Sequence, residues 1–477
     1  MDVAHGHHEE GTVLSTLTEL EAPGLPHLAS SGITVPLVTG GRVPVVHFDY
    51  GASAPVMAAV AELVGEFLPG YSAGHRGDGP LSLEATGHYE HARVVARRFL
   101  GAPDSHAIVW TENTTGAINI TAHALANTRP RPRVVVFGME HHANILPWQT
   151  HCDLTILPIP ATHGDLLTAL ATELAREPAD LVAVTGASNV TGECPDLAAI
   201  ARITHSRGAL LLADLAQLAP HHQVNMTELG IDIAVLSGHK MGAPYRVGVL
   251  AAPRDLLTGY RPLITGGGIV DFVHADGTVE WVDDPETLHE PGSPNVVGVL
   301  ATATAMATLR RAGMDRVAGA EAAHLDLATA LLGDVPGLQV HTMWPAGHPR
   351  IGVLTFNIDG IPWGLLAAVL SAEYGIATRS GCFCAHILMA HLLGVPLDEA
   401  KLISAARRSG SGVAPGAVRV SFGYDTTFDS IVQLREALDV IVAHGPGWAY
   451  VPCGDGHYRP DPDPRPARLD FAARTAW

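Results

Sequence analysis

Positive charge is scarce in this chain of 477 residues: Lys and Arg total 29 against 48 Asp and Glu, a formal net charge of −19. No basic block stands out to meet a phosphate backbone, so a nucleic-acid partner is not expected. Long hydrophobic runs are missing too. No apolar stretch approaches the roughly 18 residues that a membrane helix needs, and no membrane partner is expected. Cysteine is sparse, and the five present (Cys152, Cys194, Cys382, Cys384, Cys453) form an odd, scattered set with no secretory leader in front. Such a set offers no disulfide framework and points to a reduced, cytoplasmic location. Zinc spacing is also absent. The one dense histidine cluster, His5-Gly6-His7-His8, sits beside Glu9 and Glu10 with no second ligand cluster after it, and reads as a solvated tail. No repeat recurs at solenoid spacing.

What the chain does have is an apolar share of 47% with 16% charged residues, suited to a globular enzyme core of two or three domains. Residues 1–44, rich in Gly, Pro and His around one short helical pattern (TVLSTLTELEA), read as an N-terminal arm. From Val45, VVHFDYGASAPV predicts a strand and turn, and MAAVAELVGEFL an amphipathic helix. SAGHRGDGPLS is a Gly-rich loop, and SLEATGHYEHARVVARRFLGA a long helix stopping at Gly101. Strand and helix then alternate, the strands being HAIVWT, RVVVFG, LTILPI, LVAVTGAS, ALLLAD, IAVLSG and VGVLAA. That alternation predicts an α/β large domain over 45–300 with a mainly parallel sheet. Over 301–443 the order helix, RIGVLTFNI, PWGLLAAVLSAEY, IATRS, helix, AVRVSFG, DSIVQLREALDVIVA predicts a smaller α+β domain. Residues 444–477 are Pro-rich with little periodicity and read as a tail.

Chemistry concentrates at strand ends. Between Ala213 and Leu250, Asp214 leaves one apolar strand and Ser237-Gly238-His239-Lys240 ends another. A lysine between Gly238 and Gly242, flanked by apolar runs, is held near the sheet end, where desolvation favours the neutral amine that forms Schiff bases. Asp214 is the candidate partner for the pyridinium nitrogen of pyridoxal phosphate, the proton that keeps the ring an electron sink. On this stretch alone, an ordinary solvated loop lysine remains the alternative. Glu112-Asn113-Thr114-Thr115-Gly116, between a strand and a helix, is a candidate anion site, with plain threonine capping as its alternative. Asn189 follows another strand, where open α/β sheets place ligands. Thr114, His141, Asn189, Asp214 and Lys240 all fall just beyond predicted strands and so converge on one sheet edge.

Seven stretches, TENTTGAINI, EHHANILPWQ, SNVTGECP, ADLAQ, SGHKM, GSPN and RSGCFCA, occur in the order and near the spacing of class V aminotransferases, fold-type I pyridoxal phosphate enzymes. Over about 45–440 the chain most resembles the cysteine desulfurases and selenocysteine lyases of that family. The resemblance implies that Lys240 forms the internal aldimine and shuttles protons, Asp214 binds the ring nitrogen, Gln217 the ring hydroxyl, and His141 stacks on the ring. It implies a phosphate site of Thr114, Thr115, Ser237 and His239, with Ser293 reaching in from a second subunit, hence a homodimer. Asn189 and Arg379 would bind the substrate carboxylate. Cys384, five residues after Arg379, would take sulfur from cysteine as a persulfide, leaving alanine and implying a sulfur-acceptor partner.

Some positions depart from the family pattern. Cys382-Phe383 stand where relatives usually carry His or a small polar residue, and Gly-Cys-Phe-Cys resembles molybdenum cofactor sulfurases. Ala243-Pro244-Tyr245-Arg246 replaces a Gly-Pro-Thr-Gly type of turn, and 398–416 looks like an insertion. These departures leave room for an aminotransferase, epimerase or eliminase acting on another amino acid, with Cys384 as part of the wall. A non-catalytic protein retaining the fold is the third reading.

Overall fold

The computed structural model describes residues 24–475 apart from 76, 397, 400, 402, 404–412, 414, 467, 468, 470 and 472–474. The His5–His8 cluster, the TVLSTLTELEA pattern and most of the 398–416 insertion lie outside the described residues.

The described chain opens with β1 (Thr34–Pro36), β2 (Arg42–Pro44) and β3 (Val46–His47), followed by α1 (Ala58–Phe67) and α2 (Pro80–Leu100). Helix α2 ends where Gly101 turns left-handed at φ 60°, a conformation glycine adopts at no steric cost. Strand–helix alternation then runs through β4 (His106–Thr111), α3 (Thr114–Thr128), β5 (Arg133–Phe137), α4 (Leu146–His151) and β6 (Asp153–Leu157). It continues through α5 (His163–Arg176), β7 (Leu181–Thr185), α6 (Leu197–His205), β8 (Leu210–Asp214), α7 (Met226–Leu229), β9 (Ile233–Ser237) and β10 (Gly248–Pro253). Polar residues start these helices: Asn113, Thr162 and Asp196 each accept a backbone N–H in the first turn of α3, α5 and α6.

These strands form one seven-stranded sheet in the order β4-β10-β9-β8-β7-β5-β6. Only β10 runs antiparallel, paired with β4 on one side and β9 on the other. Every residue of β5, β7 and β9 is buried, which is why those strands read as unbroken apolar runs rather than alternating ones. Helices on both faces supply the cover, as in an α/β fold of fold-type I.

After β10 come β11 (Val270–Val273), β12 (Val279–Trp281), α8 (Pro285–Leu288), α9 (Val296–Ala312) and α10 (Met314–Gly333). The later elements are β13 (Leu338–His341), β14 (Val353–Ile358), α11 (Trp363–Tyr374), β15 (Ile376–Ala377), β16 (Arg379–Gly381) and α12 (His386–Leu392). Then follow β17 (Ala417–Ser421), α13 (Phe428–His444), β18 (Tyr450–Pro452) and β19 (Tyr458–Pro460). Strands β13-β14-β17-β16 make an antiparallel sheet with its own apolar core around Phe356, Leu370, Val420 and Leu438.

Three local readings change. IATRS is two short strands: Thr378 separates β15, which pairs in parallel with β3, from β16, which pairs with β17. The Pro-rich end of the chain contains the hairpin β18–β19. Its approach is anchored by Glu373 of α11, which accepts from Gly447 N, Trp448 N and the Tyr450 hydroxyl at 2.9, 3.1 and 2.9 Å. Residues 34–44 likewise pair as a hairpin of β1 and β2. Periodicity is a poor guide to strands of two or three residues. No helix among the described residues is long and apolar enough to cross a membrane.

Candidate active site

A cavity of about 450 Å³ opens at the end of the large sheet where β4, β5, β7, β8 and β9 finish. Thr114, Thr115, His141, Asn189, Asp214, Gln217, Ser237, His239, Lys240, Arg379 and Cys384 all line it. Of the residues that the resemblance assigns to cofactor, substrate or catalysis, Ser293 alone does not. It lies in a separate cleft of about 920 Å³ with Glu90, Arg93 and Glu290.

Lys240 sits in a 3-10 turn between Gly238 and Gly242 directly after β9. A Cβ on Gly238 would collide with Thr302, and Gly242, at φ 83°, would drive one to within 2.8 Å of Met57. The turn therefore needs glycine on both sides of the lysine. Lys240 makes no hydrogen bond or ion pair among the described residues, and burial pulls its amine down from 10.5 to about 8. Asp214, the last residue of β8, is buried and accepts from Ala216 N at 3.0 Å. Burial raises its carboxyl, while that N–H and the nearby Lys240 charge pull the other way.

At the start of α3, Thr114 N donates to Ser237 Oγ at 2.9 Å, and the two hydroxyls lie 2.7 Å apart. Donors thus cluster at a helix N-terminus, favourable ground for an anion. Gln217 Nε2 donates to Gly51 O at 2.6 Å, leaving its buried Oε1 without a partner. His141 accepts at Nδ1 from Ala143 N at 3.1 Å, and burial with the neighbouring Lys240 charge lowers its pKa to about 4. Its ring is neutral at physiological pH. Burial likewise takes His239 to about 4.

The opposite wall comes from the second sheet. Asn189 Nδ2 donates to Phe383 O at 2.7 Å, so one of its amide hydrogens is engaged by the cysteine turn. Cys384 is exposed at the cavity, whereas Cys382 is half-buried and packs against the main apolar core. Arg246, left-handed at φ 53°, pairs with Glu112 at 2.5 Å on the surface, and neither it nor Tyr245 lines the cavity. The turn that departs from the family pattern therefore lies outside the site.

A model of the aminotransferase class V family matches residues 46–434. The chain belongs to this family. Among class V relatives, a probable cysteine desulfurase of Halalkalibacterium halodurans is 35% identical over 355 residues, 72% of this chain and 85% of that protein. A cysteine desulfurase of Dickeya dadantii is 35% identical over 360 residues, 74% and 86% of the two chains. Two solved structures share the fold. Apo cysteine desulfurase from Thermococcus onnurineus superposes with a TM-score of 0.73 at 28% identity, covering 84% of this chain and 95% of that one. Cysteine desulfurase CsdA from Escherichia coli, in an S-sulfonic acid form, gives 0.71 at 31% with the same coverage.

Two cavity residues of this class V enzyme, Arg419 and Phe383, and the carboxylate of Asp49 that pairs with the cavity arginines, escaped the sequence reading. Arg419 of β17 is buried, donates to Asn189 O at 2.7 Å, and has its guanidinium 5.1 Å from the centre of the Phe383 ring. Burial pulls its pKa down to about 10. Its signal was an arginine inside the apolar run AVRVS, a costly placement without a purpose. Asp49, the counter-charge to both Arg379 and Arg419, carried no such signal because its partners lie far along the chain. Phe383 was noted only as a departure from the pattern, yet its ring walls the cavity. Lys240 had a stronger signal than its flanking glycines: it is one of only two lysines in the chain, the other being Lys401.

Proposed function

We propose that the chain is a pyridoxal-phosphate-dependent cysteine desulfurase. It removes sulfur from L-cysteine, holds it as a persulfide on Cys384 and releases alanine. The observation that carries this reading is one cavity lined at once by Lys240, Asp214, Arg379, Arg419 and Cys384.

The donor set fits the cofactor. Asp214 suits the ring nitrogen, the unpartnered Gln217 Oε1 suits the ring hydroxyl, and the Thr114 and Ser237 hydroxyls suit the phosphate. The neutral His141 ring offers a flat face to stack on the pyridine. Bound there, pyridoxal phosphate supplies the electron sink that stabilises negative charge on the substrate Cα.

The chain's own residues do the rest. Lys240, with its amine near 8, anchors the cofactor and moves the proton at the substrate Cα. Arg379 and Arg419 hold the substrate carboxylate with planar donors, leaving the substrate sulfur toward Cys384. The Cys384 thiolate attacks that sulfur, an S–S bond forms, and the C–S bond breaks. Cysteine and thiol thereby become alanine and persulfide, with no other oxidant or reductant. Ser293 of a second copy completes the phosphate site in a homodimer, and a sulfur-acceptor protein or small thiol clears the persulfide. We place the enzyme in the cytoplasm.

The test is product analysis with purified holoenzyme, L-cysteine and a reductant. Alanine and sulfide form in equal amounts, and Cys384→Ser keeps the cofactor absorbance but loses at least ~100-fold in alanine formation, about 2.7 kcal/mol of barrier. Normal turnover by Cys384→Ser, or keto acid and racemised product from other amino acids, would overturn the reading.

A further inference from the structure

The reactive cysteine sits on a turn that its own sequence does not favour. Cys382 to Ala385 closes with Ala385 N donating to Cys382 O at 3.0 Å, and both central residues are left-handed, Phe383 at φ 53° and Cys384 at φ 54°. Neither is glycine, and such a conformation persists only where the surroundings over-determine it. Three outside contacts do so. Asn189 Nδ2 holds Phe383 O, and Arg419 lies over the Phe383 ring. The third partner is His142, used twice. Its backbone N–H donates to Cys384 O at 2.9 Å, and its ring Nε2 accepts from His386 N at 3.2 Å, with the His142 and His386 rings 4.6 Å apart.

The second bond has a local reason. His386 opens α12, whose N-cap residue is Ala385, a side chain with no acceptor for the first free N–H groups of the helix. The imidazole of His142 supplies that acceptor from the far side of the cavity rim. His142 itself does not line the cavity.

We infer that His142 is the positioning residue of the Cys384 thiol, strapping the cysteine turn on both flanks to the loop after β5. The inference rests on the persulfide role proposed for Cys384. A thiol held in place spends its time near the attack geometry, whereas a turn loosened at one flank spreads over many orientations.

The experiment compares wild type, His142→Ala and His142→Gln as holoenzymes. Glutamine restores an acceptor oxygen without the ring. Cofactor absorbance and its change on adding L-cysteine report binding. Mass spectrometry of quenched single turnovers reports persulfide on Cys384. We expect all three proteins to bind cofactor and cysteine alike. Persulfide formation slows at least tenfold in His142→Ala and returns to within about threefold of wild type in His142→Gln. Amide exchange over 382–386 follows the same order. His386→Pro deletes the donor instead of the acceptor and must reproduce the alanine defect, which keeps the test decisive if His142→Ala folds badly. Wild-type persulfide rates in His142→Ala, or a glutamine variant as slow as alanine, overturn the positioning role. Absence of persulfide from wild type itself overturns the proposed function instead.

Discussion

Asp49 meets Arg379 at 2.7 Å across 330 residues of sequence, and its other oxygen reaches the buried Arg419 at 3.3 Å. One carboxylate thus orients both cations proposed to receive the substrate carboxylate. Asp49→Asn leaves Arg419 short of its buried counter-charge and frees Arg379 to swing into solvent. Steady-state kinetics will show the KM for L-cysteine rising about 10- to 100-fold, or roughly 1.4–2.8 kcal/mol. The kcat will fall by less. An unchanged KM sinks the assignment.

Lys240 yields a pH prediction. Only the neutral amine attacks a carbonyl, and the neutral fraction grows about tenfold per pH unit until the pKa near 8 is passed. Uptake of pyridoxal phosphate by apoprotein, followed as visible absorbance, will accelerate from pH 6 to 8 and level off above. Lys240→Ala will develop none of that absorbance. A rate independent of pH over this window contradicts the proposed desolvated lysine.

Glu140, between β5 and the cavity histidine, is buried with Oε2 accepting from Asn144 Nδ2 at 2.8 Å and Oε1 unpartnered. Burial raises its carboxyl from 4.5 to about 8. Between these values the unfolded chain binds fewer protons at this site than the folded one, so stability falls as pH rises through the window. Glu140→Gln removes that slope. Thermal melts at pH 5 and pH 8 will show wild type losing about 3 °C or more relative to the variant at the higher pH. Parallel behaviour of the two proteins contradicts a proton held by Glu140.

The hairpin β18–β19 is tested by cutting. A chain ending at residue 444 deprives Glu373 of its three donors and uncovers Trp363, which packs against Gly456 and His457. A buried carboxylate without partners costs a few kcal/mol, and the melting temperature will drop by about 5 °C or more. A truncated chain that melts with wild type would show the hairpin to be ornamental.

Legibility followed the range of the interactions. The sheet strands were readable because most are largely apolar runs, the edge strand β6 (DLTIL) being the exception, and Thr114, His141, Asn189, Asp214 and Lys240 were readable because each falls at or just beyond the end of one. Arg419 and Asp49 were not, since what brings them to the site is a contact between residues 370 apart in the chain. The left-handed Phe383 and Cys384 were hidden for another reason: the bonds from Asn189 and His142 that hold them come from two distant loops, after β7 and after β5, and no local preference announces them. Strands as short as β15 and β16 carry too few residues to show a period.

The parallel pairing of β3 with β15 bears on how the molecule is made. On the ribosome, Val46 and His47 emerge early, and their partner strand follows only after the whole large sheet has been synthesised. At about 5–20 residues per second the delay is roughly 20–70 s. During that wait the sheet can close and its lysine turn can form, but Asp49 has no arginine to hold. The half of the cavity proposed to hold the substrate carboxylate is therefore the last part of the cavity to be completed.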